Sequence, residues 1–361
     1  MESRCDIAIV GAGMAGASLA AALAPHAQVT VIEAEALPGQ HATGRSAAFW
    51  TESYGGPGVV PLTLASGPFL QGGGFLAPRG ALTIARVGQE AEAEEFAARY
   101  AALGINAVLV GRGEMEAVIP GLRPGWVLGV SEPDCSDIDV AALHQHYLAE
   151  TRRTGAAIVT SARLMAAERI EHGWRLALGD GSALEAGLLV NAAGAWADKV
   201  ARIAGLRPIG ITPYRRTVAQ LRTAPAPPRA LPLVLDFGES FYFKPETGRL
   251  WLSPHDETPS PPCDAAPEEL DVALAIERFE TVVDWRIEAV ERRWAGLRSF
   301  APDRLPVYGS DPREQAFFWF AGQGGFGIQT APAAAVLAAR LILGQAGGAV
   351  DPAPYSPARF G

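Results

Sequence analysis

Ile7-Ala8-Ile9-Val10-Gly11-Ala12-Gly13-Met14-Ala15-Gly16 is the stretch that decides the fold. Four apolar residues read as a buried strand, and the glycines that follow form a turn. Ala17-Ser18-Leu19-Ala20-Ala21-Ala22-Leu23 is built from good helix formers. Val29-Thr30-Val31-Ile32 reads as a second strand and ends on Glu33. This strand–turn–helix–strand–acid unit is the pattern that binds a dinucleotide. Gly11 permits the tight turn, Gly13 lets backbone approach a pyrophosphate, and Gly16 lets helix and strand pack closely. The helix N-terminus offers N–H groups to phosphate through Gly13, Met14 and Ala15. Glu33 stands near the usual spacing for a ribose hydroxyl, and its charge repels a 2′-phosphate, which disfavours NADP. The glycines alone are equally a plain turn; the flanking elements supply the specificity.

Moving outward, 361 residues exceed the usual single core and predict two lobes. Hydrophobic residues at 49% and charged residues at 19% indicate a globular chain. A net charge of −9 without a basic block argues against nucleic acid and anionic membrane surfaces as partners. Cys5, Cys135 and Cys263 are scattered and form no CxxC pair, so neither a disulfide framework nor a metal site is expected. The first strand begins at once, without a basic leader or cleavage site, which predicts a cytoplasmic protein. The longest apolar run, Ala331 to Leu343, is short and carries Arg340, so no transmembrane segment is expected. The chain is read as a monomer.

Leu37 to Gly44 is a polar loop, and Ser46-Ala47-Ala48 is small and helix-compatible. A second helix N-terminus near Ser46 would offer further N–H groups to a cofactor. Arg45 either meets phosphate or holds the loop by a salt bridge, and His41 reads as a loop histidine. The chain then leaves the nucleotide unit for a sheet-rich excursion. Asp139 or Asp137 caps a helix from Val140 to Arg152, on which His144 and His146 lie on different faces and are no ligand pair. A hairpin turns at Gly179-Asp180-Gly181, and Leu188 to Gly194 is a buried strand ending in small residues. A second excursion opens on Arg215-Arg216 and includes strands at Ser240 to Lys244 and Leu250 to Ser253. Its helix, Pro267 to Val283, is expected to bury Leu270, Val272, Leu274 and Phe279. Phe317 to Ala321 is a last buried strand that runs into the glycine-rich turn at 322–327 and a C-terminal helix. A second such turn can aim N–H dipoles at a flavin pyrimidine, where negative charge grows on reduction. The fold class expected is α/β: a Rossmann-like FAD-binding domain of glutathione-reductase type interleaved with a sheet-rich α+β substrate domain. The boundaries read are 1–72, 138–208 and 299–361 for the first, and 73–137 and 209–298 for the second.

Several segments together resemble the D-amino-acid oxidase and dehydrogenase family of flavoproteins. They are the first glycine turn, Gly44-Arg45-Ser46-Ala47-Ala48, Asp137-Ile138-Asp139, Val190 to Trp196, Glu239 to Tyr242, Trp294 to Phe300 and Gln323 to Thr330. The order matches over nearly the whole chain, most closely that of the D-arginine dehydrogenase members. The resemblance implies FAD, and no cysteine or histidine stands in a context that compels a covalent link. It places Arg45, Ser46, Ala47, Ala48, Leu164 (by backbone), Ala193, Gly194, Gly324, Gly325, Phe326, Gly327, Ile328 and Gln329 at the cofactor.

The sequence has no serine elbow, catalytic cysteine setting or metal-spaced histidines, so the cofactor must carry the chemistry. The resemblance implies hydride transfer from Cα to flavin N5, then hydrolysis of the imine to a 2-oxo acid and ammonia. A guanidinium is the best carboxylate clamp because it binds both oxygens. Arg298 is the first choice and Tyr242 its hydroxyl partner, by match to the family's substrate positions. Arg216 is the second arginine, or else a surface residue on a strand, and Tyr54 matches the family's lid tyrosine. Relatives that prefer arginine carry an acid where this chain has Ala81 and a histidine where it has Phe49, with Gly325 also at the pocket. Neutral, apolar D-amino acids are therefore the expected substrates, unless Glu52 replaces the missing charge. The electron acceptor, whether O₂, a quinone or a dye-type acceptor, stays open, with dehydrogenase favoured over oxidase by resemblance. The alternatives are a flavin oxidase of secondary amines or N-methyl amino acids, a 2-hydroxy-acid dehydrogenase, and an FAD-binding scaffold or electron-relay subunit.

Overall fold

The computed structural model describes residues 3–361. Its first layer grows from the opening strand, Ser3–Val10, which lies between two parallel partners. The sheet runs in the order Leu164–Ile170, Gly173–Leu178, Ala183–Asn191, Ser3–Val10, Val29–Ile32, Ala157–Val159. Glu314–Ala321 pairs with Ala183–Asn191 and with Val307–Asp311. Alternate residues of the opening strand enter different cores. Ile7 and Ile9 pack with Leu19, Leu23 and Leu337 of the helices Met14–Leu23 and Ala331–Ile342. Ala8 and Val10 pack with Trp174, Leu189, Val200 and Trp319 on the other face. A sheet covered on both faces explains why its parallel strands read as continuous apolar runs.

A second sheet of ten strands supplies the other layer. Its order is Gln323–Gly324, Arg286–Phe300, Thr212–Ala224, Arg249–Ser253, Tyr242–Glu246, Leu233–Asp236, Ala81–Arg86, Trp126–Glu132, Val108–Gly111, with Thr258–Pro259 paired to Thr212–Ala224. Leu82, Ile84, Phe241, Phe243, Leu252, Phe279 and Trp285 form its core. A small sheet, Phe49–Trp50, Ser136–Ile138 and Leu76–Pro78, lies apart from both. No helix of the described residues is long and apolar enough to cross a membrane.

Two local expectations change, and one helix goes unread. The Ser46 segment starts no helix: a single 3₁₀ turn, Thr43–Arg45, ends at Ser46 in extended backbone. Phe49 and Trp50 then pair with Asp137 and Ser136, and this pairing overrides the helix propensity of the alanines. In the helix Glu269–Glu280 the buried residues are Val272, Ala275 and Phe279, while Leu270 is 75% exposed. Leu270 sits in the first turn, off the face that meets the sheet. A helix at Val60–Gly72 carries Pro61 at its start and Pro68 inside, which hides it from periodicity. Asp139 does cap the helix Val140–Arg153, accepting from the Ala142 N–H at 2.9 Å.

Candidate active site

One cavity runs between the sheets, walled by segments from both ends of the chain. At one end stands the glycine turn. Gly11 has φ +104°, and a Cβ there would lie 2.6 Å from the Ala192 carbonyl oxygen. A side chain on Gly16 would collide with the Gly11 carbonyl, so Gly16 serves helix–strand packing, as its spacing predicts. Gly13, Met14 and Ala15 line the cavity and aim the helix N-terminus at it, whereas Ala12 and Gly16 stand behind the wall. Glu33 lines the cavity too. Its Oε2 accepts from the Ala12 N–H at 2.8 Å and its Oε1 from the Glu35 N–H at 2.9 Å. The acid thus fixes the turn while lining the cavity. His144 braces the turn from the helix beneath, its Nε2 lying 2.9 Å from the Ala12 carbonyl oxygen, a tie that spacing alone does not reveal.

Ser46, Ala47, Ala48, Leu164, Ala193, Gly194, Gly324, Gly327, Ile328 and Gln329 also line the cavity. Of the two roles open to Arg45, the structure shows the salt bridge. It pairs with Asp264 and donates to the carbonyls of Ala265 at 2.7 Å and Ala295 at 3.3 Å. Phe326 turns its ring into a core with Val59 and Phe300 and is absent from the cavity wall. Gln329, 2% exposed, is an internal tie. It accepts from the Thr51 N–H at 3.3 Å and donates to the Tyr54 carbonyl at 3.2 Å and Thr63 Oγ1 at 2.9 Å.

Arg298, Arg216, Tyr54, Tyr242, Phe49 and Gly325 converge at the far end, joined by Val218, Leu235 and His255. Arg298 donates from Nη2 to the Tyr54 hydroxyl at 2.7 Å and from Nη1 to Glu257 at 3.1 Å. Its Nε is buried and has no partner. Arg216, 7% exposed and so no surface arginine, donates to the Asp256 carbonyl at 2.9 Å and approaches Glu257 at 3.5 Å. Arg304 reaches Glu257 at 2.8 Å. One carboxylate thus holds three guanidinium groups together, and no local sequence pattern signals it. Burial pushes the Tyr54 and Tyr242 phenols up, so both stay protonated donors. Ala81 does not reach the cavity. It packs with Ala47, Leu233 and Tyr242 behind the wall. Glu52 is also absent from the lining, where the carboxylates are Glu33 and Glu35 at the opposite end. Among the described residues no group of His, Cys, Asp and Glu could hold a metal.

An elongated dinucleotide fits this arrangement. The helix N-terminus and close-approach glycines suit a pyrophosphate, Glu33 suits a ribose, and the 322–327 turn lies beside the two arginines. A family model described as FAD dependent oxidoreductase matches residues 6–341. The chain is 27% identical over 180 residues to the hydrogen cyanide synthase subunit HcnC of Pseudomonas aeruginosa, covering 48% of this chain and 40% of that one. It thus spans less than half the length of that curated relative. Its fold is similar to L-proline dehydrogenase from P. horikoshii, with TM-score 0.87, 21% identity, and 100% and 98% of the two chains covered. It is also similar to glycine oxidase from Geobacillus kaustophilus, with TM-score 0.85, 23% identity and 98% of each chain covered. With the family match spanning nearly the whole cavity-forming chain, the protein belongs to the FAD dependent oxidoreductase family, whose cofactor is FAD.

Proposed function

We propose that this chain is an FAD-dependent D-amino acid dehydrogenase or oxidase that takes neutral and apolar substrates and yields a 2-oxo acid and ammonia. One observation carries the reading: Arg298 presents a buried Nε without a partner, next to the Tyr54 hydroxyl on the cavity wall. That fork suits a substrate carboxylate, with Arg216 as the second cation. Tyr54 and Tyr242, kept protonated by burial, donate rather than repel. Phe49, Val218, Leu235 and Tyr242 offer an apolar wall to a side chain. No carboxylate lines this end among the described residues, so an arginine or lysine side chain would lose its hydration without gaining a partner. FAD, when bound, supplies the hydride acceptor for Cα. The chain's own residues bind the carboxylate, orient Cα and narrow the space open to water; an amine that arrives neutral needs no strong base. The D-series and the preference for a dehydrogenase rest on the motif resemblance.

Anaerobic mixing of the holoenzyme with D- and L-amino acids, sarcosine, proline and 2-hydroxy acids tests the proposal. Bleaching of the flavin by neutral D-amino acids, followed by kcat/KM values with and without O₂, is the expected result. Highest kcat/KM for D-arginine or D-lysine would overturn it. No bleaching by any of these compounds would favour an FAD-binding scaffold instead.

A further inference from the structure

We infer that His255 is a specificity-determining residue: its Nε2 accepts a hydrogen bond from a donor at the tip of the substrate side chain. Within the neutral series that this apolar pocket takes, a substrate with an O–H or N–H at its side-chain tip is then preferred over its size-matched hydrocarbon counterpart. This deepens, and rests on, the reading of the site as an amino acid pocket.

Two loops hold this imidazole in place. Glu239 and His255 both have left-handed backbone, with φ 49° and 54°, an uncommon conformation for non-glycine residues. They touch each other: His255 Nδ1 lies 2.7 Å from the Glu239 carbonyl oxygen. A carbonyl only accepts, so Nδ1 carries the hydrogen and Nε2 bears the lone pair. Arg278 fastens the loops together, donating to the Ser240 carbonyl at 2.5 Å and the Pro254 carbonyl at 2.6 Å. Asp236 pins the first loop by accepting from Ser240 N and Oγ, each at 2.7 Å. Two left-handed residues locked against one another are a conformation that the surroundings over-determine, as happens where a group must be presented. His255 lines the cavity, and its Nε2 has no partner among the described residues. Burial, aided by Arg216, lowers its pKa to about 3, so the ring is a neutral acceptor and not a base at neutral pH.

The amine of a clamped substrate lies close to the carboxylate, beside Arg298, Tyr54 and Gly325. Ring contacts lead away from the clamp, from Tyr54 to Phe49 at 5.2 Å, Phe49 to Tyr242 at 6.1 Å and Tyr242 to His255 at 5.8 Å. The imidazole stands beside Tyr242 on the wall that Phe49 and Leu235 share, and a side chain that extends along these rings meets it.

The test compares size-matched pairs in both enantiomeric series with the holoenzyme: threonine against valine, and tyrosine against phenylalanine. Wild type is expected to favour the donor member by about tenfold in kcat/KM, the worth of one neutral hydrogen bond. His255→Phe should bring the ratio near one. His255→Asn, which tolerates left-handed backbone, serves if the Phe variant does not fold. A wild-type ratio near one, or a ratio unchanged in the variant, overturns the inference alone. Failure of every amino acid to reduce the flavin overturns it together with the parent reading.

Discussion

Tyr54 and Arg298 are 244 residues apart in sequence and share a 2.7 Å hydrogen bond, phenol oxygen to guanidinium. The bond occupies part of one edge of the guanidinium. Nη1 and Nη2 each spend one N–H, on Glu257 and Tyr54, and the buried Nε has no partner among the described residues, so the Nε–Nη2 edge keeps two N–H groups for a ligand. Arg298→Ala is expected to lower kcat/KM by about 2–3 kcal/mol of transition-state binding, the worth of a hydrogen-bonded charge. Arg298→Lys should recover little, since an ammonium lacks the fork. Steady-state kinetics on the best D-amino acid check both.

Gly325 is required by the same pair. A Cβ there would collide with Arg298 Nη2 and Nε and with the Tyr54 hydroxyl. Gly325→Ala should therefore raise KM and lower kcat, and the pyrophosphate end at Gly11 to Ala15, far along the chain from this turn, should still hold FAD. Flavin content by absorbance and kcat/KM separate the two effects. Full activity in this variant would remove Arg298 from the clamp.

Glu132 gives the fold a pH dependence. It is buried, and burial raises its pKa from 4.5 to about 7, against two stabilising bonds from Ser53, whose hydroxyl lies at 2.7 Å. The folded state holds this proton more tightly than the unfolded chain. Its contribution is therefore complete below pH 4.5 and is lost as pH rises through 7, by about 3 kcal/mol in all. Glu132→Gln should flatten that fall. Urea denaturation of both proteins at pH 5 and pH 8 measures it.

Thiol labelling should distinguish the three cysteines. Cys5 and Cys135 are buried, and burial pushes the Cys135 thiol up to about 12, so neither forms thiolate readily. Cys263 is half-buried and lines the cavity beside Ala265 and Gly296. Cys263 is expected to be alkylated first in apoprotein and to be shielded when FAD is restored, as mass spectrometry of peptides would show.

The nucleotide-binding layer was legible because its signals are local: an apolar run, a glycine turn, a helix and an acid follow one another within a few dozen residues. The hairpin turn and the Asp139 cap were legible for the same reason. Arg298 and Tyr242 were recognised by resemblance to family positions, not by any pattern around them. Glu257 and His255 were missed because nothing near them in sequence announces a contact with arginines 41 residues away or a carbonyl 16 residues away. Ala81 shows the converse. It aligns with a pocket position, yet its small side chain stops behind Tyr242, and the wall closes in front of it.

The strand Arg286–Phe300 ends by pairing Ser299 with Gly324 and Phe300 with Gln323. The residue after the carboxylate clamp is thus laddered to the turn expected at the flavin. Backbone hydrogen bonds, and not the docking of two mobile lobes, then fix the gap across which a substrate must react. This ladder lies within the ten-stranded sheet, so the turn keeps its place beside Arg298 however the two sheets move. Turnover should also be sensitive to substitutions in residues 51–58, since Tyr54 reaches Arg298 from this segment.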